Sequence, residues 1–393
     1  MSKRKSAKAR RCPICGMAMR KKGFTNAGAQ RWRCDACSLS STTQRADLKR
    51  MAEFRAFLAW VTGKESLSEA AARLGVVRQT FASRIAWCWN VSPRIAKGGP
   101  VHRYVEVDGT YLPYGWCLLI ASGEDGRPIA WQWCERESKA AYRRLFMRIR
   151  EPGVLVSDGG AGCLAVARER WKRARIQRCL VHVLRSTRTD LTNKPRSGAG
   201  RELLKLARRL TKIRDGSQAA AWLVGLNRWH DEHGAFIKER THAKDDPLHA
   251  RGRKWWWTHE RVRRAYYRFI RLQRDRTLFT FLEPGLVAAG PIPSTTNQLE
   301  GGINAVVKRV MQHHRGLSES HMRRACEWAI IMLASHPDPE SFVMPEAWSR
   351  TTPPERHDTE PTPGTETAVQ LPAPGINAYE SGFGIRKGWA GHT

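Results

Sequence analysis

Between residues 101 and 185 the apolar positions fall into short runs separated by turn residues, and their period changes along the way. RYVEVDGTYL alternates apolar and polar side chains, which predicts a strand ending at Asp108. WCLLIAS and RPIAWQWCE are strand-like and flank Gly123-Glu124-Asp125-Gly126, a hairpin signal. SKAAYRRLFMRIR then has helical spacing, VLVSDGG predicts a short buried strand ending at Asp158, AGCLAVARERW is helical, and ARIQRCLVHV is a fifth strand. Upstream, SLSEAAARLGVVRQTFASRIAWCW has a helical period on both sides of Gly75. Ser66 or Ser68 can cap the first helix, and the second is expected from Thr80 to Trp89 with Phe81, Ile85 and Cys88 or Trp89 inward. Downstream, ELLKLARRLTKI, AAAWLVGLNRWHDEHGAF and RKWWWTHERVRRAYYRFIRLQR predict a long Arg-rich helical stretch.

Beyond about residue 336 the periodicity stops, and a Pro/Thr/Glu-rich tail is expected to be disordered. Segments of different character follow: 1–45 with a basic leader, a helical pair over 46–97, a strand-and-helix region over 101–185, a helical insertion over 186–293, further helices over 294–335, and the tail 336–393. There is no internal repeat.

Charge narrows the partner. The formal net charge is +32, with 68 Lys and Arg against 36 acidic residues. The segment from Asp338 onward carries four basic and eight acidic residues, so the rest holds +36. An excess of that size, spread along the chain, is attracted to a phosphate backbone. Membrane is the competing polyanion, but no apolar run reaches the roughly 18–20 residues of a bilayer span, and no signal peptide is expected. Double-stranded DNA is therefore the expected partner.

Cys12-x2-Cys15 and Cys34-x2-Cys37 stand eighteen residues apart. A C-x2-C turn supplies two of the four thiolates that one structural Zn²⁺ holds tetrahedrally, so residues 1–45 are expected to form a zinc ribbon. The alternative is a pair of disulfides. The other six cysteines lack framework spacing, which favours a reducing cytoplasm, and a DNA-bound protein there is nucleoid-associated. The small alanines and the Leu74-Gly75 turn suit a helix-turn-helix whose second helix presents Arg78, Gln79, Ser83 and Arg84 to DNA; the plainer alternative is a helical hairpin.

Three antiparallel strands followed by helix, strand, helix and strand is the order of a ribonuclease H-like mixed sheet. Such sheets place their chemistry at strand ends, where Asp108 and Asp158 fall. Phosphodiester cleavage uses two Mg²⁺ (or Mn²⁺) ions about 3.5–4 Å apart on converging carboxylates. A third carboxylate is offered by the segment STTNQLEGGINAVVKR, where Glu300, Asn304 and Lys308 share a helix face and Ile303, Val306 and Val307 seek the core. Asn297 and Glu300 also suit a capping arrangement, and an Asp before Gly is commonly a turn residue. Cys179-Leu-Val-His182 offers two zinc ligands where a closed structural site needs four. In the insertion, Trp255, Trp256 and Trp257 beside arginines can stack on an unpaired base or divide between core and interface.

Taken together, Asp108-Gly-Thr, Val-Ser-Asp158-Gly, Cys179-Leu-Val-His182 and Thr-Thr-Asn297-x-x-Glu300 resemble the motifs of Mutator-like DDE transposases of bacterial insertion sequences. The resemblance covers roughly residues 100–330, and one branch of that family also carries a zinc ribbon and helix-turn-helix at its N-terminus. It implies a catalytic, Mg²⁺-binding triad of Asp108, Asp158 and Glu300, and an all-helical insertion after the fifth strand. It also gives Cys179 and His182 a role near the active site; on spacing and residue type, Asn304 and Lys308 are expected to contact DNA, and Asn297 and Trp256 are further auxiliary positions. The implied activity is metal-dependent cleavage at element ends and strand transfer into target DNA, by a homo-oligomer of at least two chains. The alternative is a non-catalytic, sequence-specific DNA-binding protein derived from a transposase.

Overall fold

A computed structural model describes residues 11–12, 14–42 and 46–344. The basic leader and the tail from 345 onward lie outside them. The chain is mixed α/β and divides into two compact units, one of residues up to Arg94 with Arg309–Met332, the other Ile95–Lys308.

The first unit begins with a small antiparallel sheet of β1 (Met19–Phe24), β2 (Gln30–Cys34) and β3 (Ser40–Thr42). Among the described residues its core is Cys12, Met19 and Cys34, flanked by Trp32 and Leu39. A core that small cannot hold a module together without a further constraint. Three helices follow, α1 (Ala46–Val61), α2 (Leu67–Arg73) and α3 (Arg78–Ile85).

Of the two candidate caps on α2, Ser66 is the one used. Its hydroxyl accepts from Glu69 N at 3.2 Å, and Glu69 Oε2 accepts from Ser66 N at 2.7 Å. Gly75 turns the chain with φ +67, a conformation that favours glycine. The second helix differs from expectation: it starts at Arg78 and tightens to a 3₁₀ turn over Ala86–Asn90. Consecutive Trp87, Cys88 and Trp89 are all buried there, which an α-helix packed on one side cannot achieve. Partners enclose them from several directions: Phe57 lies 4.8 Å from Trp89 between ring centroids, His321 stacks on Trp89 at 4.1 Å, and Glu53 accepts from Trp87 Nε1 at 3.0 Å.

The second unit is built on a five-stranded mixed sheet. Its strands are β4 (Tyr104–Tyr111), β5 (Cys117–Ser122), β6 (Pro128–Cys134), β7 (Val154–Ser157) and β8 (Arg175–Arg178), in the order β6-β5-β4-β7-β8. The first three are antiparallel, whereas β7 and β8 run parallel to β4. Helices α4 (Lys139–Phe146) and α5 (Ala161–Arg170) cover the face to which Val105 and Val107 point. Because side chains alternate along a strand, Tyr104, Glu106 and Asp108 take the opposite face.

Two strand boundaries differ from the sequence expectation. Strand β4 does not end at Asp108: its parallel pairing with β7 stops at Val107↔Ser157, but pairing with β5 continues to Tyr111↔Cys117. The fifth strand stops at Arg178, and Cys179 is the N-cap residue of α6 (Leu180–Leu191). Leu180, Val183, Leu184 and Leu191 bury on one side of that helix, so the helical period prevails over the strand reading of CLVHV.

The insertion packs α6 with α7 (Gly198–Leu210), α8 (Gly216–His233) and α9 (Glu260–Arg274) around a core that includes Leu203, Trp222, Trp229 and Phe269. Buried indole N–H groups are satisfied by backbone, Trp222 on Leu206 O at 2.9 Å and Trp229 on Ala199 O at 3.0 Å. The insertion is not all-helical. Residues Arg240–His242 (β9) pair antiparallel with Trp255–Trp257 (β10), so the three tryptophans lie on a strand. Aromatic runs fit a pleated surface, and Arg240 lies over Trp255 and Trp257 at 4.2 and 4.9 Å.

Asp190 at the end of α6 is buried and meets two arginines of α9, Arg264 at 2.7 Å and Arg268 at 2.5 Å. Removing the carboxylate leaves two partly covered guanidinium groups without their counter-charge. Asp190→Ala is expected to lose about 2–3 kcal/mol of stability, measurable as an earlier urea midpoint; an unchanged midpoint contradicts this role.

Candidate functional site

Parallel pairing of β4 with β7 sets the position of the two aspartates. Val107 is opposite Ser157, so Asp108 and Asp158 are each the next residue on adjacent strands. Asp158 is held by local backbone: its Oδ1 accepts from Gly160 N at 2.9 Å, and its carbonyl accepts from Arg178 Nη2 at 2.6 Å. Gly159 turns here with φ +87, and a Cβ at that position would stand 1.8 Å from the Arg178 guanidinium. Glycine is therefore favoured by conformation, and a side chain there would also have to displace the Arg178 guanidinium.

Glu300 arrives on a continuous helical run, 297–313, whose central turn Glu300–Asn304 is a π-helix. Three contacts fix this run against the sheet and the start of α6. Asn304 Nδ2 donates to Asp108 Oδ2 at 2.7 Å, Leu299 N donates to Glu106 Oε2 at 3.1 Å, and Thr296 Oγ1 lies 2.9 Å from Glu300 Oε1 and 3.4 Å from Cys179 Sγ. The helix is capped at Thr296, one residue before the expected Asn297, whose side chain is exposed. Ile303 and Val307 bury as expected and Val306 only partly.

Asn304 was expected to contact DNA. It is instead 1% exposed with its amide spent on Asp108, because the fold turns its face of the helix onto that carboxylate. Lys308 remains exposed.

The electrostatics at this edge are unfavourable for negative charge. Burial, then the charges of Asp158 and Glu300, push the Asp108 carboxyl well above the ordinary range. Burial, then Glu300, push Glu106 up to about 7 against the pull of Leu299 N–H, and Glu106 Oε1 has no partner. Glu137 adds a further carboxylate, lying where a Cβ on Gly109 would be and bonded by the Tyr142 hydroxyl. These are crowded oxygen donors, the donor chemistry that a hard divalent cation fits. The three carboxylates of Asp108, Asp158 and Glu300 do not form a group with ligand oxygens all within 4.8 Å of one another, whereas Cys179, His182 and Glu300 do.

His182 and Arg185 on α6 hold the far side of Glu300. His182 Nδ1 is 3.7 Å from Glu300 Oε1, Arg185 Nη2 is 3.9 Å from Oε2, and Arg185 Nη1 is 3.0 Å from His182 Nε2. Burial lowers the His182 imidazole, but Cys179 beside it, with Asp158 and Glu300, raises it to about 9 in net. The Arg185 contact opposes that charging, since a guanidinium can only donate to Nε2. Burial raises the Cys179 thiol, and His182 and Thr296 outweigh it, leaving the thiol lowered.

Two other groups of expected residues lie apart from this edge. In the first unit, Cys12 Sγ is 3.5 Å from Cys37 Sγ and Cys15 Sγ is 3.4 Å from Cys34 Sγ, all four being free thiols within 4.8 Å of one another. Those separations exclude disulfides and approach the edge of about 3.8 Å that four thiolates take around one zinc. The cluster can hold a structural metal such as zinc. Arg78, Gln79, Ser83 and Arg84 are exposed on α3, and with Lys49, Arg50, Glu53 and Thr80 three of them, Gln79, Ser83 and Arg84, line a cleft of about 370 Å³. Trp256, in the insertion, is half-buried with Arg253 at 5.3 Å from its ring centroid.

Glu106, Thr296 and Arg185 escaped the sequence reading. The signal for Glu106 was present: in Val-Glu-Val-Asp it shares the period-two face of Asp108 within an otherwise apolar strand. No family model matches the chain, and no curated protein matches it. Among the described residues, no helix is long and apolar enough to cross a membrane.

Because Glu106 has its acid form favoured by the fold, the unfolded chain releases that proton first. Between pH 4.5 and about 7 the folded state therefore loses stability as pH rises. Glu106→Gln keeps an acceptor for Leu299 N–H and removes this cost. With chelator present, the variant is expected to match wild type at pH 4.5 and to exceed it by about 3 kcal/mol at pH 8. Parallel stability curves across that range would contradict the assignment.

Proposed function

We propose that the protein is a DDE transposase that cleaves DNA at the ends of an insertion sequence and joins them to target DNA. The observation that carries this reading is the Asp108 carboxyl, placed beside Asp158 by parallel strands, raised by burial and then by Asp158 and Glu300, and clamped by Asn304 four residues beyond Glu300. The strand order β6-β5-β4-β7-β8 supports a ribonuclease H-like catalytic domain interrupted after its fifth strand. Asp108, Asp158 and Glu300 would hold the Mg²⁺ or Mn²⁺ ions. Bound there, such ions supply activation of the attacking oxygen and charge stabilisation at the leaving oxygen of an in-line displacement.

The chain's own groups prepare that chemistry. Asn304 fixes one oxygen of Asp108, Gly160 N fixes one of Asp158, and the Thr296 hydroxyl orients Glu300. No side-chain nucleophile is needed, so no covalent protein–DNA intermediate forms.

The cysteine cluster supports a zinc ribbon, and α2 with α3 supports a helix-turn-helix presenting Arg78, Gln79, Ser83 and Arg84 to the element ends. Lys308 and the net charge of +32 suit backbone contacts. Two ends must meet, so the working form is at least a dimer on DNA. The engagement of Glu300 by Thr296, His182 and Arg185, apart from a compact triad, is what favours the second reading, a DNA-binding protein without catalysis.

A plasmid carrying this gene with its natural flanks separates the two. In Mg²⁺ the wild type is expected to cut at fixed flanking positions, and Asp158→Asn to bind the same flanks with cleavage reduced at least about a thousandfold. Specific binding without metal-dependent cuts by wild type would establish the second reading. For the ribbon, Cys34→Ser is expected to release zinc and lose specific binding to the flanks while general DNA affinity persists; unchanged specific binding contradicts it.

A further inference from the structure

Cys179-x-x-His182 alone provides two ligands, and the fold brings a third. Cys179 Sγ, a His182 ring nitrogen and a Glu300 oxygen all lie within 4.8 Å of one another. His182 is 9% exposed, and its Nδ1 is buried with no hydrogen-bond partner. That nitrogen faces Glu300 Oε1 at 3.7 Å, too long for a hydrogen bond. It is close to the edge of about 3.3–3.8 Å that joins two ligands of one tetrahedral zinc with bonds of about 2.0–2.3 Å. Cys179 Sγ already faces the same point, receiving Thr296 N at 3.3 Å.

The geometry points to a second zinc site in this chain, formed by Cys179, His182 and Glu300 with the fourth position open to water. Thiolate and imidazole select zinc over magnesium, while Glu300, the most exposed of the three, gives the ion its way in. Binding at Nδ1 leaves the ring proton on Nε2, so Arg185, whose side chain is 39% exposed, must release its 3.0 Å contact and turn outward.

The consequence for activity rests on the transposase reading. Zinc on Glu300 withholds that carboxylate from Asp108 and Asp158, so the site is a brake on magnesium-dependent cleavage. Occupancy itself requires no cleavage.

The test counts metal. Full-length protein is stripped with chelator, reloaded with Zn²⁺, desalted, and its zinc per chain measured by mass spectrometry. Wild type is expected to carry one zinc more than Cys179→Ser, His182→Ala or Glu300→Gln. Glu300→Gln changes a partly exposed side chain and preserves the fold where the buried Cys179 variant could unfold. Arg185→Ala removes a neighbouring cation and is expected to hold the extra ion more tightly against a chromophoric chelator. Equal zinc content in wild type, His182→Ala and Glu300→Gln overturns the site whatever the cleavage assay gives. Undiminished magnesium-dependent cleavage by a wild type that carries the extra zinc removes the brake and leaves the site, and no cleavage at any zinc loading removes the transposase reading and leaves the site.

Discussion

The second unit depends on a crowd of carboxylates at one sheet edge. Asp108, Asp158, Glu300, Glu106 and Glu137 lie around the end of the β4–β7 pairing, where burial and neighbouring charge raise the carboxyls of Asp108 and Glu106. Nothing in hydrophobic packing calls for that arrangement, and an apolar set would be more stable there. It persists because each carboxylate is tied to a different structural element. Asn304 and Leu299 use Asp108 and Glu106 to dock the 297–313 run, and the Gly159 turn locks Asp158 beneath Arg178.

The same ties surround the π turn of the helix run. Ile303 and Val307 are buried, Leu299 N is anchored on Glu106, and Glu300 and Asn304, four residues apart, stand on the turn between them. The turn includes Gly301-Gly302, where no side chain resists it. Local irregularity of this kind is concentrated at functional sites.

How much of this was legible in the sequence differs by element. The five strands of the sheet and their flanking helices were readable because apolar runs of four to eight residues, Gly-rich turns and helical periods all agreed. The cysteine cluster was readable from spacing alone. The end of β8 was not, since CLVHV satisfies both a strand and the first turn of a helix, and only tertiary burial of Leu180 and Val183 decides. The tryptophan strand was hidden by the Arg-rich helix that follows it. Asn304 was misassigned because its face was read as open to DNA, whereas the fold turns that face onto Asp108. Thr296 and Arg185 carry no local pattern; their roles come from chain segments over a hundred residues apart in the sequence.

Metal binding at the carboxylate edge is the most direct measure of the account. Full-length protein carrying one zinc per chain, in the cysteine cluster, would be titrated with Mn²⁺ and the free ion followed by electron paramagnetic resonance. The account predicts saturable Mn²⁺ uptake by wild type that Asp108→Asn and Asp158→Asn each reduce at least about tenfold in affinity. Identical uptake by wild type and both variants would mean that these carboxylates do not form a metal seat, and the catalytic reading would fall with it.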